Sequence, residues 1–232
     1  MRVKLLRYTR DPEVLCATAA LTSSKQKGAS EFLEKTDLGK ARKILRRVLG
    51  YGHFSVIEHA SFTFSLEGVS RVLTHQLVRH RLASYTQQSQ RYVKYDTLEH
   101  YVTPKSIIEN TEAKKIYEQC LKHISEAYQK LLTFKVPKED ARFVLPNAAK
   151  TNITVTMNGR ELRHFFNLRC CVRAQWEIRE VAVEMLRQVK RVAPAIFENA
   201  GPYCVEFGYC PEGKLKPKTC NIEEIKEKFR KL

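Results

Sequence analysis

Arg79-His80-Arg81 is followed, after seven residues, by Ser89-Gln90-Arg91, with Ser84, Tyr85 and Thr86 between them. Guanidinium groups, an imidazole and hydroxyls thus crowd into one short stretch. A guanidinium presents a planar fork of donors that matches a phosphate, a carboxylate or the edge of an imide. Hydroxyls and backbone N–H groups add neutral donors that can complete a phosphate cage. The stretch follows an apolar helix, so its cations are expected at a helix C-terminus, where the helix dipole favours positive charge. Gln76 lies four residues before His80 and is expected to share its face. Tyr92 and Tyr95 come after the second cluster and offer rings for stacking on a base or another planar heterocycle. A solvated basic face accounts for Arg79-His80-Arg81 alone, but does not call for so many different donors together.

Further residues could do chemistry. Arg169 stands in line with Leu162, Phe165 and Phe166, a charge on an otherwise apolar helix face. A buried charge is costly without a partner, so an anionic ligand is expected beside it. Ser89 is a possible nucleophile, but no base stands at a helical spacing from it, and phosphate binding is the reading preferred. Cys170 and Cys171 read as small packing residues with some thiol reactivity. His53 and His59 lie six apart and do not make a zinc ligand set.

The elements that must position these groups are legible. Val3–Tyr8 reads as a strand. Asp11-Pro12-Glu13 opens a helix reaching about Leu21, with Asp11 as cap and Pro12 in the first turn. Thr22–Ser30 reads as a loop. Asp37 caps a helix carrying Leu38, Ile44, Leu45, Val48 and Leu49, with Gly50 just past its end. Ser61–Leu66 alternates, which predicts a half-buried strand ending at Gly68. Ser70 caps a helix with Val72, Leu73 and Leu77 on its apolar side. Glu112–Thr133 is helical, with Ile116, Cys120, Leu121, Ile124, Tyr128, Leu131 and Leu132 on one face. Ile153, Val155 and Met157 mark a strand, after which Asn158 caps a helix in an approximate capping box with Glu161. The last long helix uses Trp176, Ile178, Val181, Met185, Val189 and Val192 and stops at Pro194. Long helices thus mix with a few strands at irregular intervals. The expected fold class is α+β: a single mixed domain over 1–232, with long helices packed on a small, mostly antiparallel sheet and 201–232 as a tail.

Composition narrows the function. The chain has 232 residues, with 41 Lys and Arg against 25 Asp and Glu, a net charge of +16. Such an excess suits an anionic partner. The basic residues are spread along the chain, and neither zinc-finger spacing nor an aromatic RNA-binding signature appears, which argues against nucleic acid. No apolar run approaches a membrane helix, and the first ten residues lack a signal core, so neither a membrane nor secretion is expected. Seven cysteines, an odd number, read as free thiols of a reducing cytoplasm. Cys204, Cys210 and Cys220 cluster near the end but lack close C-x2-C pairs, so no metal is expected there. Neither a G-x-G-x-x-G turn nor a P-loop is present, so a bound dinucleotide must be held in some other way.

The complete R-H-R-x7-S-x-R segment, Arg79 to Arg91, resembles the signature of flavin-dependent thymidylate synthases. His53-Phe54-Ser55-Val56-Ile57-Glu58-His59 is similar to that family's H-x-[ST]-x-x-E-H segment. Ala141-Arg142-Phe143-Val144-Leu145-Pro146, Asn158-Gly159-Arg160, Asn167-Leu168-Arg169 and Ala174-Gln175-Trp176-Glu177 follow in the family order. The resemblance covers about residues 1–200. It implies a homotetramer with active sites where subunits meet. It implies methylation of dUMP to dTMP with methylenetetrahydrofolate as methylene donor, reduced FAD as hydride donor and NADPH as reductant. Ser55, Glu58, Arg79, His80, Arg81, Gln87, Asn158, Arg160 and His164 are then expected to bind FAD. Gln76, Arg79, Gln87, Gln88, Ser89, Gln90, Arg91, Arg142 and Arg169 are expected to bind dUMP. His53 is a further possible contact to nucleotide or folate. Arg169 is expected to be catalytic, stabilising the uracil imide as it loses its N3 proton and so raising the nucleophilicity of C5.

The sequence also departs from that pattern. Thr86-Gln87 stands where the family often has Asn-Glu, Arg173 where many members carry His, and His164 where some have Asn. Two other readings remain open. A basic RNA-binding protein would bind long nucleic acid with steep salt dependence. A flavin oxidoreductase of the same fold would oxidise NADPH but make no dTMP.

Overall fold

A computed structural model describes residues 1–91, 97–218 and 220–232. Tyr92 and Tyr95, expected to offer stacking rings, lie outside the described residues. Strands β1 (Arg2–Tyr8), β2 (Ser61–Ser70), β3 (Ala83–Gln87) and β4 (Lys150–Asn158) form one sheet in the order β1-β2-β4-β3. The hydroxyls of Thr63 and Thr156 meet at 2.9 Å, and Gly68 N–H donates to Asn152 Oδ1 at 2.9 Å. Residue numbers rise along one strand as they fall along the other, so β2 and β4 are antiparallel. On β1, Thr9 N–H reaches the Ser61 carbonyl while Met1 lies beside Gly68, again antiparallel. The two-residue period settles the faces: Phe62, Phe64 and Leu66 are buried, as are Ile153, Val155 and Met157.

The helices are α1 (Pro12–Thr22), α2 (Ala29–Lys35), α3 (Leu38–Gly50), α4 (Arg71–Leu77), α5 (Lys105–Ile108), α6 (Thr111–Thr133), α7 (Lys138–Ala141), α8 (Gly159–Arg169), α9 (Trp176–Val192), α10 (Pro194–Phe197), α11 (Tyr203–Glu206) and α12 (Ile222–Arg230). With the small sheet they make the α+β architecture that the sequence predicts. Three expected caps are made: Asp37 accepts from Lys40 N–H, Ser70 from Leu73 N–H and Asn158 from Glu161 N–H.

Several expectations fail for identifiable reasons. Asp11 makes no side-chain cap; its backbone is left-handed (φ 46°), and Pro12 alone marks the start of α1. Glu13 does stand in the first turn of α1, and it is buried there. It accepts from Arg42 Nε at 2.8 Å and from Ala195 N–H, so one carboxylate ties α1 to α3 and α10. The loop expected over Thr22–Ser30 ends early, because α2 begins at Ala29. Gly50 is the last residue of α3, and Gly52 takes the positive φ that turns the chain. Val72 points outward on α4. On α6 only Leu121, Ser125 and Tyr128 are buried, while Ile116 and Cys120 are exposed. Trp176 is only half-buried at the start of α9. Residues 201–232 carry α11 and α12 and are folded.

The chain divides into two compact units, residues 1–2, 66–79 and 86–154 in the first and 3–65, 80–85 and 155–232 in the second. In the first, α6 packs Leu121 and Tyr128 with Tyr101, Ala141 and Ala149. In the second, the rings of Phe62, Phe197, Phe166 and Phe165 pack edge to face in a chain. No helix among the described residues is long and apolar enough to cross a membrane.

Candidate functional site

In the second unit the site is built on α8. A Cβ on Gly159 would lie 2.8 Å from the Ile57 carbonyl, so only glycine lets the start of α8 sit this close to the turn Phe54–His59. That approach brings Arg160 Nη1 to Glu58 Oε1 at 2.5 Å, both side chains remaining about half exposed. Ser55 lies exposed on the same turn. Asn158 spends Oδ1 on its cap.

Residues four apart share a helix face, and Glu161, Phe165 and Arg169 form such a stripe on α8. His80 lies along it, only 3% exposed. Its ring meets Phe165 edge to face at 5.0 Å and His164 at 5.6 Å. Arg169 Nε donates to His80 Nε2 at 3.1 Å. A guanidinium only donates, so Nε2 is the bare acceptor and the imidazole proton sits on Nδ1. Nδ1 faces Glu161 Oε1 at 3.6 Å, too long for a hydrogen bond, and is buried without a hydrogen-bond partner among the described residues. The His80 carbonyl accepts from Tyr85 Oη at 2.7 Å.

The electrostatics agree with this proton assignment. Burial, then the Arg169 and His164 charges, hold the His80 pKa down to about 4. His80 is therefore neutral at pH 7, and its approach to Glu161 is not an ion pair. Burial raises the Glu161 carboxyl, opposed by His164 and the Leu82 N–H, and burial also lowers Arg169. A neutral imidazole holds Arg169 without adding a second positive charge.

A consequence is measurable. The unfolded state takes up the His80 proton near pH 6.5, the folded state only near 4. Stability from neutral His80 is therefore present above pH 6.5 and declines as the pH falls toward 4, by up to about 3 kcal/mol at 1.36 kcal/mol per pKa unit. Glu161 acts with the opposite sign: its raised pKa penalises the ionised fold, and that penalty is relieved as pH falls through it. Denaturant midpoints recorded against pH should decline more gently for His80→Asn than for the parent. Parallel declines would contradict this burial effect.

In the first unit a second group of expected residues assembles. α4 ends at Leu77, so Gln76 and His80 are not on one helix and the expected shared face does not exist. Arg79 is exposed, as is Arg81 in the second unit. Ser89 Oγ accepts from Arg91 N–H at 3.2 Å. Arg91 Nη2 meets Glu139 Oε2 at 2.7 Å, and Arg142 Nε donates to the Glu139 carbonyl at 3.0 Å. Arg91 and Arg142 thus both reach Glu139, while Ser89 holds the Arg91 backbone. Gln90 is half-buried beside them. The Gln88 carbonyl accepts from Arg71 Nη2 at 2.9 Å. Gln87 Nε2 donates to the hydroxyls of Thr74 at 3.1 Å and Thr151 at 3.4 Å. The amide donates to these hydroxyls, whereas a carboxylate there could only accept from them.

Sequence reasoning missed several residues. Arg163, rather than Arg169, is the deeply buried cation of α8. Its guanidinium binds Glu206, donates to the Ile196 carbonyl at 2.6 Å and lies over the Phe54 ring. Asn167 donates to Glu206 Oε2 at 2.6 Å and to the Gly201 carbonyl. Glu161 is more than a cap partner, since it faces His80, and Arg71 and Glu139 join the group although no motif marks them. His-independent nucleophiles gain no support: Cys170 is buried and its thiol is raised by burial. Arg173 uses its length to pair with Glu212 in the tail, a reach His lacks.

The sequence model described as thymidylate synthase complementing protein matches residues 4–195, and the chain belongs to that family. Its full-length relatives are flavin-dependent thymidylate synthases. That of Geobacter sulfurreducens is 51% identical, the match covering 100% of this chain and 99% of that one; that of Pyrococcus furiosus is 47% identical over 100% and 98%. Among solved structures, the flavin-dependent thymidylate synthase of Helicobacter pylori, complexed with FAD and dUMP, has a TM-score of 0.69 at 23% identity, covering 87% of this chain and 100% of that chain. A UMP/dUMP methylase from Streptomyces cacaoi, bound with 5-Br dUMP, also has a TM-score of 0.69 at 23% identity, over 85% and 93%. These two show the fold.

Proposed function

We propose that this chain is a flavin-dependent thymidylate synthase, converting dUMP, methylenetetrahydrofolate and reduced FAD to dTMP, tetrahydrofolate and oxidised FAD. The observation that carries the reading is Arg169, held on a neutral, buried His80 at the end of α8 in a chain 51% identical to a curated member. The donor set suits FAD: exposed Arg79 and Arg81, Arg160 beside Glu58, the Asn158 amide and the His164 ring offer cations and N–H groups for a diphosphate and an imide edge. Ser55, Glu58, Arg79, His80, Arg81, Gln87, Asn158, Arg160 and His164 would hold it. When bound, reduced FAD supplies a hydride, and NADPH restores it.

The chain's own residues prepare the pyrimidine. Gln76, Arg79 and Gln87–Arg91, with Arg142, form the dUMP site. A ligand phosphate competes with Glu139 for Arg91, so binding exchanges an exposed ion pair for a stronger charge-assisted contact. Arg169 holds the negative charge that develops on the uracil imide as N3 loses its proton; it remains a cation and does not act as the base. His80 fixes its direction through Nε. The same reading covers the whole chain, 1–232, as one catalytic domain of a cytoplasmic homotetramer whose sites are shared between subunits. The net charge of +16 supports anionic ligands.

Ser89 tests the division of roles. Ser89→Ala should raise the dUMP Kd about 10- to 100-fold, the loss of one charge-assisted hydrogen bond, while single-turnover chemistry at saturating dUMP is retained. Abolished chemistry with intact binding would make Ser89 the nucleophile. The reading as a whole is tested by the absorption of the purified full chain. A flavin spectrum that shifts on adding dUMP is expected. A colourless protein that binds long RNA with steep salt dependence would replace it with the nucleic-acid reading.

A further inference from the structure

Two side chains of one helix bracket His80, and all three residues belong to the second unit. Glu161 stands in the first turn of α8 and Arg169 in the last, on the same face. Both reach the buried ring, Arg169 at Nε2 and Glu161 at Nδ1. Their demands on it are complementary. The guanidinium needs an acceptor, and the carboxylate has no proton to give.

We propose, resting on the reading of Arg169 as the stabiliser of the uracil imide, that Glu161 is a positioning residue: its carboxylate keeps the His80 proton on Nδ1, which leaves Nε2 bare to aim Arg169. A neutral imidazole carries its one proton on either nitrogen. With the proton on Nδ1, the N–H bond turns its positive end toward Glu161 Oε1, 3.6 Å away. With the proton on Nε2, the Nδ1 lone pair would face a negative oxygen, and Nε2–H would face the Arg169 Nε–H, donor against donor. The contact at Nδ1 is Coulombic rather than a hydrogen bond, and burial of both partners leaves little water to screen it.

Arg169 selects this tautomer only while it is in place, whereas Glu161, 5% exposed, sets it in advance. Glu161 is itself fixed. Its N–H donates to Asn158 Oδ1 at 2.9 Å, and its carboxylate accepts from the Leu82 N–H. Burial raises the carboxyl, while His164 and the Leu82 N–H favour its charged form. Leu82 follows Arg81 directly, so the same carboxylate ties the start of α8 to the donor-rich segment. No bond forms or breaks; the carboxylate acts by its field and its lack of a proton.

The test uses Glu161→Gln in the full chain, which keeps the size of the side chain and removes its charge. The amide has one oxygen where the carboxylate has two, and an N–H group that can face Nδ1. Imidazole nitrogen chemical shifts in histidine-labelled protein, with His80 assigned by its loss in His80→Asn, locate the proton. It should sit on Nδ1 in the parent and move partly or wholly to Nε2 in Glu161→Gln. Flavin should be retained, and kcat for dTMP should fall about 10- to 100-fold, as for coupled neighbouring groups. In an Arg169→Ala background Glu161→Gln should lower turnover no further, because it acts through that side chain. A merely structural acid would lower turnover in both backgrounds and leave the tautomer alone. A parent ring protonated on Nε2, an unchanged tautomer in Glu161→Gln, or additive losses would each overturn the proposal. Should Glu161→Gln misfold, Glu161→Asp still decides: the charge is kept, so the proton should stay on Nδ1, and its transfer to Nε2 would overturn the proposal. A parent chain that makes no dTMP would instead remove the functional reading, and the nitrogen shifts would still report whether Glu161 holds the proton.

Discussion

Arg169→Ala is expected to retain FAD and lose turnover by about 100- to 1,000-fold, the cost of deleting one preorganised charge stabiliser. The reason lies in how the side chain is held. Arg169 is half-buried at the last turn of α8, and its Nε is spent on His80 Nε2. Burial of His80 keeps that nitrogen unprotonated down to about pH 4, so the acceptor is present throughout the working range. The guanidinium is thereby aimed before any ligand arrives, and no reorganisation is needed as charge develops. Arg169→Lys should not restore turnover, because an ammonium is a point charge without the planar fork. Steady-state kcat and bound flavin, measured on the same preparation, check both claims. Unchanged kcat in Arg169→Ala would remove the catalytic assignment.

Glu206→Ala is expected to destabilise the fold by about 3–5 kcal/mol, because it strands a buried cation. The Arg163 and Glu206 side chains are 8% and 4% exposed and meet at 2.7 Å, with Asn167 on the second carboxylate oxygen. Exposed ion pairs such as Lys231 with Glu227 lack this leverage, because solvent screens them. In a chain of this size the loss should lower the thermal midpoint by about 6–20 °C. Glu206→Gln keeps an acceptor for Arg163 and should fall between parent and Ala variant. Differential scanning of the three proteins checks the order. A Glu206→Ala midpoint equal to the parent's would mean that the buried pair does not stabilise the tail against α8.

Most of the fold that carries the site was legible because it follows periodicity and local caps. The alternation of Phe62, Phe64 and Leu66, and the side chains of Asp37, Ser70 and Asn158, depend on neighbours a few residues away. What stayed hidden depends on distant partners. Glu13 is a first-turn acid of α1, but the Arg42 guanidinium and Ala195 N–H that it binds come from distant segments. The α6 stripe from Ile116 has the right spacing for a core, yet only Leu121, Ser125 and Tyr128 of that helix are buried. The donor-rich segment from Arg79 to Arg91 was visible as chemistry. The proton position on His80 and the burial of Arg163 were not, since both follow from contacts across long stretches of chain.

Release of tritium from dUMP labelled at C5 most directly tests the claim that this chain methylates the pyrimidine. With FAD, NADPH and methylenetetrahydrofolate present, tritium should appear in water in step with dTMP, and both should be lost in Arg169→Ala. A flavin-loaded protein that oxidises NADPH but leaves the label on dUMP would contradict it.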